Sequence, residues 1–582
     1  MSKFSKKILS RDSKKIYMAD WLAYKPYNSP INGYDQEYVN LCNKIYNEMC
    51  DFVEMNIVDG ERDEARLAKF LAISLVSYLE DFSNEIGLWK AFTDENMRNM
   101  GKPLSIVLLS QKYSTQDINK EDIQYLLWHY LVLAGDKQDI ADPESEYMIA
   151  TAAFIYQVFD AALASDSVPT TDFYDDFLTI TPKTAFFDIK TKFNWVTFSS
   201  FLCGREFKRA YQERCADIAE DFKGGAYGNN PELLNQLLYS AISPFFYTQN
   251  SSMAALPVRE ILASIAHTDD DIRHKLREMR YYARAYGYVH QRLDADNVEI
   301  QIIGSSHRLA FNTNSMPPAS RKIIQPKTAH LLNLVKWGEE YWLSGSCLTI
   351  GGASEANLAM KNLREDISLL QSQSALFSTA ERLKISENQQ QYELSFNAYF
   401  GKNIVFTNSE NDNDKQQRIF MKWQNASIAL DKNGKPDNSK LLDAAYWQKC
   451  ADTPELHKFR KGLPEISDNY FAMIPKEGIF ISDFEDLTQI PTITQQNRPL
   501  NTEEGGLLFA CIMYLPPLLS SYLFEKYDFS RLGFSPKSTP EQCVNLRDSL
   551  PALQRFYQPD AFNIYLSTQT LHDKAVFETP FV

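Results

Sequence analysis

Apolar residues recur every three to four positions through most of the first 300 residues, the spacing of helices with one buried face. From Tyr38 to Val58 the repeat runs through Val39, Cys42, Ile45, Tyr46, Met49, Phe52 and Val53. A second predicted helix covers Arg66 to Phe82, and its apolar positions are dense enough to be buried nearly all round. Ile118 to Leu133 follows a start signal: Asn119 as N-cap, then Glu121 and Asp122 in the first turn, where acids complement the helix dipole. Tyr147 to Leu163 and Pro231 to Ser243 extend the series, the latter opening on proline. Asp269 to Arg292 also reads as one helix, with Ile272, Leu276, Met279, Ala283 and Tyr286 as its apolar face.

The pattern changes near residue 293. Val298 to Ile303 alternates as a short strand does, and Ser305 to Arg321, with Pro317-Pro318, reads as loop. Beyond it, Thr328 to Trp342 is a predicted helix. Cys347 to Ile350, Asn403 to Thr407 and Gly478 to Ser482 are predicted strands, and Ser386 to Gln391 and Asn408 to Gln417 read as exposed loops or helix ends. No fixed-period repeat stands out. The expectation is a multidomain chain, a mainly α-helical N-terminal half followed by an α+β C-terminal half. The divisions are a basic arm over 1–20, a helical domain over 21–293, a linker or short strand plus loop over 294–325, and an α+β domain over 326–582.

Composition agrees with packed domains. The 582 residues are 44% hydrophobic, 23% charged and 13% aromatic, and a chain of this length exceeds one ordinary core. The formal net charge of -15 argues against wholesale coating of nucleic acid or an anionic membrane, but leaves room for a local basic site. The eight cysteines include no Cys-x-x-Cys pair, which fits scattered free thiols in a reducing compartment and a cytoplasmic location. Lys3, Lys6, Lys7, Arg11, Lys14 and Lys15 precede no apolar segment, so the N-terminus reads as a docking arm and not a secretion signal. The longest apolar run, Leu507 to Leu523, is broken at Pro516-Pro517 and reads as buried structure, so no membrane association is expected.

Candidate chemistry concentrates in the 269–292 helix. At 100° per residue Arg273, Arg277, Arg280 and Arg284 share an arc of roughly 60°. Their planar forks suit phosphate or carboxylate, and Tyr281 and Tyr288 beside them could stack on a base. The plainer reading is a solvated face whose arginines pair with acids such as Asp269. Arg277 and Arg280 are expected to be exposed and unpaired if the face binds anions. His267, Asp271, His274 and Glu278 would share a face on a longer helix, but Thr268 as N-cap would break that alignment, so no metal is expected. Gly224-Gly225-Ala226-Tyr227-Gly228 lacks the residues of a phosphate loop. Gly351-Gly352-Ala353-Ser354-Glu355 reads as a tight strand-to-helix turn capped by Ser354. Ser344-Gly345-Ser346-Cys347 matches no nucleophile elbow. No cofactor is expected.

Several blocks resemble a family of uncharacterised proteins found mainly in Bacteroidetes. They are Asp20-Trp21-Leu22 with Lys25-Pro26-Tyr27 and the helix around Leu41 to Met49, the stretch from Ile118 to Ile123 leading into Tyr125-Leu126-Leu127-Trp128, Trp337 with Tyr341 to Leu348, and Phe400-Gly401-Lys402-Asn403-Ile404. The resemblance implies a domain of unknown function in a bacterial cytoplasmic protein and brings no catalytic residue. Read physically, the blocks are packing signatures, with Trp21, Tyr24 and Tyr27 pinning an extended N-terminal segment onto the helices. The function expected is therefore a non-catalytic interaction or scaffold protein with a protein partner. The alternatives are a nucleic-acid- or anion-binding protein using the arginine helix, or an enzyme whose site assembles from distant residues.

Overall fold

The computed structural model describes residues 15–27, 29–31, 33–56, 64–135, 141–165, 168–223, 231–253, 256–302, 307–352, 354–355, 379–407, 409–463, 471–474, 478–481, 489–496, 498, 500–515, 517–534 and 537–558. The basic stretch up to Lys14 and the 224–228 glycine cluster lie outside them.

The N-terminal half is helical. In order come α1 (Met18–Leu22), α2 (Gly33–Asn56), α3 (Glu64–Ser83), α4 (Leu88–Met100), α5 (Lys120–Ala134), α6 (Glu146–Ala164) and α7 (Phe173–Leu178). Then follow α8 (Phe186–Phe198), α9 (Gly204–Lys223), α10 (Pro231–Ser240), α11 (Ser243–Tyr247), α12 (Val258–Ile265) and α13 (Asp270–Arg277). The predicted helices at 38–58, 66–82, 118–133 and 147–163 are α2, α3, α5 and α6 within a few residues. Helix α3 is buried on nearly every side from Leu71 to Asp81, as its all-round apolar character demands.

The N-terminal segment is pinned by a buried cation. The Lys25 ammonium pairs with Glu80, donates to the Tyr174 hydroxyl oxygen at 3.2 Å, and sits 5.2 Å from the Trp21 ring. Asp35 lies 3.7 Å from the same ammonium and accepts the Trp21 indole N–H at 2.9 Å. Trp21 is fully buried and the backbone carbonyl of Tyr24 accepts the Trp195 indole, but Tyr27 is 78% exposed and pins nothing. Its ring follows Pro26 outward, and Lys25 is the anchor in its place.

The reading of 269–292 as one helix is corrected. Helix α13 stops at Arg277, and β1 (Tyr281–Arg292) begins after three intervening residues. Buried and part-buried residues alternate along Ala285 to His290, the period of a sheet. The predicted helix at 328–342 is likewise two strands, β4 (Ala329–Trp337) and the start of β5 (Glu340–Gly351), turning at Gly338 with φ +57°. With β2 (Asn297–Ile302) and β3 (Arg308–Asn312) they close a five-stranded barrel in the order β1-β2-β3-β5-β4. Every contact is antiparallel except β3 with β5. That order, closed through one parallel pair, is the arrangement of an OB-type barrel, and architecture alone assigns no ligand. Val289, Ile300, Phe311, Leu332 and Leu334 fill its interior.

A third core follows. It joins α14 (Thr379–Phe400), β6 (Val405–Thr407), α15 (Glu410–Ala426), α16 (Asn438–Leu441), α17 (Ala444–Cys450) and α18 (Pro454–Lys461) around Phe400, Phe420 and Trp447. The two polar stretches read as loops or helix ends are both helical. Residues 386–391 lie inside α14, and the described part of the second stretch, from Ser409, is the N-terminal end of α15, where the Ser409 hydroxyl accepts the Asp412 N–H. Strands β7 (Phe471–Ile474) and β8 (Gly478–Ile481) extend β6 into a three-stranded sheet.

The chain then returns. Helices α19 (Ile490–Gln495), α20 (Thr502–Tyr514), α21 (Pro517–Lys526), α22 (Pro540–Asp548) and α23 (Leu550–Tyr557) share one hydrophobic core with α1–α13. The run 507–523 does break at its prolines, between α20 and α21. Ser549 Oγ accepts the Ile106 N–H at 2.9 Å, and Asn545 donates to the Ile106 carbonyl at 2.8 Å. The two bonds hold Ile106 at φ +73°, a conformation β-branched residues rarely adopt. The α+β composition of the second half is as expected, but the span 326–582 is not one core. Its last helices belong with the first half of the chain, a long-range association that local periodicity does not encode.

Candidate functional site

The residues expected to bind anions do not lie on one helix. Asp269 caps α13, its Oδ1 accepting the Ile272 N–H at 2.8 Å, while Thr268 donates instead to the Ile180 carbonyl. Arg273 is spent on the end of α12. Its Nε donates to the Ala263 carbonyl at 3.2 Å, its Nη2 to those of Ala266 and Thr268, and its Nη1 to Asp270. The Ala263 and Ala266 carbonyls are among those a helix leaves orphaned at its C-terminus. Arg277 is half-exposed, with Glu260 at 3.6 Å. Burial pushes the Glu260 carboxyl up, and Arg259 and Arg277 pull it down. Arg280 is part-buried in the turn, and its carbonyl accepts the Lys336 N–H. Arg284 lies within β1. Tyr281 stacks on Tyr247 at 6.2 Å, against the helical core. Tyr288 is on the outer face of the barrel, its ring edge-on to His290 at 5.1 Å. The arc of four arginines dissolves because the backbone changes from a 3.6-residue to a 2-residue period at Arg280.

The other candidates are accounted for locally. His267 faces Asp175 at 3.6 Å and His274 faces Glu278 at 3.3 Å, so the two histidines have different partners. Gly351 ends β5 at φ +113°, and Glu355 closes onto the Gly352 N–H at 3.0 Å. Ser344 is buried against Ser243 at 3.0 Å. Cys347 lies 3.9 Å from His330. Burial pushes that thiol up to about 12 and the imidazole down to about 4, the reverse of an activated thiolate pair. Buried carboxylates also occur in the helical body. Asp81 accepts the Leu88 and Trp89 N–H groups at 2.8 and 2.9 Å, and Asp122 accepts the Tyr78 and Tyr113 hydroxyls at 2.7 and 2.9 Å. Burial pushes Asp81 up to about 7 and Asp122 up to about 6. Both are closed inside the core with partners from the fold, which is the work of structural networks.

The feature that sequence reasoning passed over is α6. It was recognised as a helix, but its composition is unusual for its position. From Tyr147 to Phe159 it carries no charged residue, and its mean hydropathy reaches 1.4 over 18 residues. By length and composition it is apolar enough to cross a membrane, yet only 39% of that window is buried. Met148, Ala152, Ile155 and Phe159 face the core, and Thr151 bonds Glu48 of α2 at 3.1 Å. On the other side Ile149 is 38% and Phe154 40% exposed, with Ala150 and Ala161 open between and beyond them. Helices apolar on all sides are ordinarily covered on all sides. The signal was present in the sequence as a charge-free run of thirteen residues.

No curated protein and no solved structure matches this chain. The resembling blocks at Asp20–Tyr27 and Ile118–Trp128 lie in a stretch that does match a family model, and those at Trp337–Leu348 and Phe400–Ile404 lie beyond it. Residues 15–301, the helical body through the second barrel strand, match the model of a family described as a protein of unknown function, DUF3843.

Proposed function

We propose that the protein is a non-catalytic interaction protein and that a protein partner docks on the bare side of α6. One observation carries this reading: the side of α6 away from the core leaves Ile149, Ala150, Phe154 and Ala161 exposed, beside the polar Gln157 and Asp160. Exposed large apolar side chains edged by polar residues are what interaction sites present. Phe154 would be its anchor, with Ala150 one turn before it letting a partner element approach closely and Ile149 at the margin of the same exposed side. The eight free thiols fit a reducing compartment, and we place the protein in the cytoplasm of a bacterial cell.

A photo-crosslinking amino acid at Ala150 tests this in the native host. The expected result is a discrete protein adduct that falls about tenfold in a Phe154→Glu background, because central aromatic anchors carry most of an interface's energy. Adducts to lipid alone, or a protein adduct indifferent to Phe154→Glu, would remove the reading.

A second reading rests on the outer face of β1, where Tyr286, Tyr288 and His290 stand in one row at strand spacing. Such a row could stack the bases of a single-stranded nucleic acid. Binding of a fluorescent oligonucleotide should then weaken steeply with salt and drop on Tyr288→Ala.

A further inference from the structure

A cleft of about 450 Å³ opens between the Lys25-Pro26-Tyr27 turn, α7, α8 and the loop that joins the two helices. Its walls are set by contacts already described. The Lys25 network holds the turn one residue before Pro26, so that Tyr27 stands over the opening. The joining loop is tied from below, because Ile180 N–H donates to the His267 carbonyl at 3.1 Å and His267 N–H to the Leu178 carbonyl at 3.1 Å. Within the loop, Thr184 Oγ1 accepts the Thr181 N–H at 2.9 Å and lies 3.3 Å from the Thr181 hydroxyl. The cleft is therefore a shape held by the fold.

Its chemistry is that of an oxygen-rich anion site. Lys192, from α8, lines the cleft and is only 7% exposed. Among the described residues its ammonium has no hydrogen-bond acceptor and no ion pair. The Phe177 ring lies 5.0 Å from it, and Asp188, one turn earlier, does not come within pairing distance. Burial pushes the Lys192 pKa down, and the distant Asp188 only partly offsets this. A second cation, Lys183, lines the same cleft from the loop. The Thr179 and Thr191 hydroxyls donate to the Asp175 and Phe187 carbonyls at 2.7 and 3.0 Å, which leaves their lone pairs available to a ligand's hydroxyls. The Lys192 stem is buried and delivers its ammonium to the cleft without an anion, and with the exposed Lys183 it sets two positive charges against the one carboxylate that lines the site, which makes the cleft net positive.

We propose that this cleft binds a small phosphate monoester, its phosphoryl group held by Lys192 and Lys183 and its hydroxyl-bearing body by the threonines, Asp188 and the ring of Tyr27. The volume falls in the range of small-molecule sites and fits a molecule of sugar-phosphate size. Lysine serves here as a point charge toward a phosphate whose orientation the surrounding hydroxyls fix.

Isothermal titration of the full-length protein with glucose 6-phosphate, inorganic phosphate and citrate tests the assignment. Glucose 6-phosphate should bind more tightly than inorganic phosphate, and Lys192→Met, which keeps the stem packed on Phe177, should weaken it at least tenfold. Lys449→Met, on the remote helix α17, should change nothing. To guard against a variant that fails to fold, the lysines of the unaltered protein can be reductively methylated with 13C. The Lys192 methyl resonance should then shift as glucose 6-phosphate is added. Citrate binding without phosphate-ester binding would overturn the ligand class. Absence of binding at millimolar concentration, or binding unchanged in Lys192→Met with a static Lys192 resonance, would overturn the site.

Discussion

Asp81 shows at the scale of one residue how the helical body is specified. Its two oxygens take the N–H groups of Leu88 and Trp89 at the start of α4, so a carboxylate from α3 caps a neighbouring helix. Burial nevertheless pushes its pKa up to about 7. Above that pH both folded and unfolded chains carry the charge, and the fold bears the full cost of burying it. As pH falls through 7 the folded chain takes the proton first, so the contribution to stability rises and is complete below the ordinary carboxylate value near 3.8. Near pH 5, where the folded chain already carries the proton on Asp81, Asp81→Asn should lose about 1–3 kcal/mol through the forfeited N–H bond. It should also flatten the stability slope between pH 8 and 5. Urea titrations of both proteins across that range would show it, and identical slopes would assign the pH dependence elsewhere. None of this was legible in the sequence, where Asp81 is one acid beside Glu80 on a predicted helix. Lys25 was legible only as part of a motif. That it, and not Tyr27, is the anchor depends on Glu80, Asp35 and Tyr174 arriving from three other segments.

At the scale of elements, the long amphipathic helices were readable because their packing repeats their own period. The barrel strands were not. Tyr281 to Arg292 places Ala285, Gly287 and Val289 inward and Tyr286, Tyr288 and His290 outward, yet the same residues satisfy a helical wheel continued from α13. No glycine or proline marks the change at Arg280. β-branched and aromatic content is the weaker clue that favoured a strand. Gly287 is where the barrel is least tolerant, since a Cβ there would stand 3.1 Å from Leu332 Cδ1 and 3.5 Å from Ile300 Cδ1. Gly287→Val should destabilise the barrel by about 1–3 kcal/mol through overpacking. The stacked Trp337 and Trp342 rings, 4.8 Å apart, offer a fluorescence signal for it. An unchanged midpoint would mean the inner wall is looser than these distances imply. The same scale separates the anion readings: the arginine face was an artefact of extending one period too far, while the Lys192 cleft draws on α7, α8 and a turn more than 150 residues away in the chain.

For the whole molecule the decisive feature is the return of the last helices. Phe556 packs against Trp128 at 5.2 Å and His129 at 4.9 Å. Buried Arg555 donates to Asn96 and to the Met253 carbonyl. Phe556→Ala should cost about 3–5 kcal/mol, as large aromatic truncations in cores do. The loss should appear in the unfolding of the N-terminal body and not only in local fraying. A fragment ending at residue 280 should expose apolar surface to a hydrophobic dye, and a separate piece covering 490–558 should quench that signal. A fragment that folds tightly by itself would contradict the shared core. Domain limits drawn from composition could not anticipate this, because the segments that meet are separated by the barrel and the third core.

This closure also sets a schedule for biosynthesis. The first 280 residues leave the ribosome with one flank of their core bare, and about 210 more must follow before α19 emerges. At ordinary translation rates the wait is roughly 10–40 s, long compared with the folding of a small domain. The nascent chain would spend that interval as a chaperone client, while the barrel and the third core, each built from contiguous sequence, could fold as they appear.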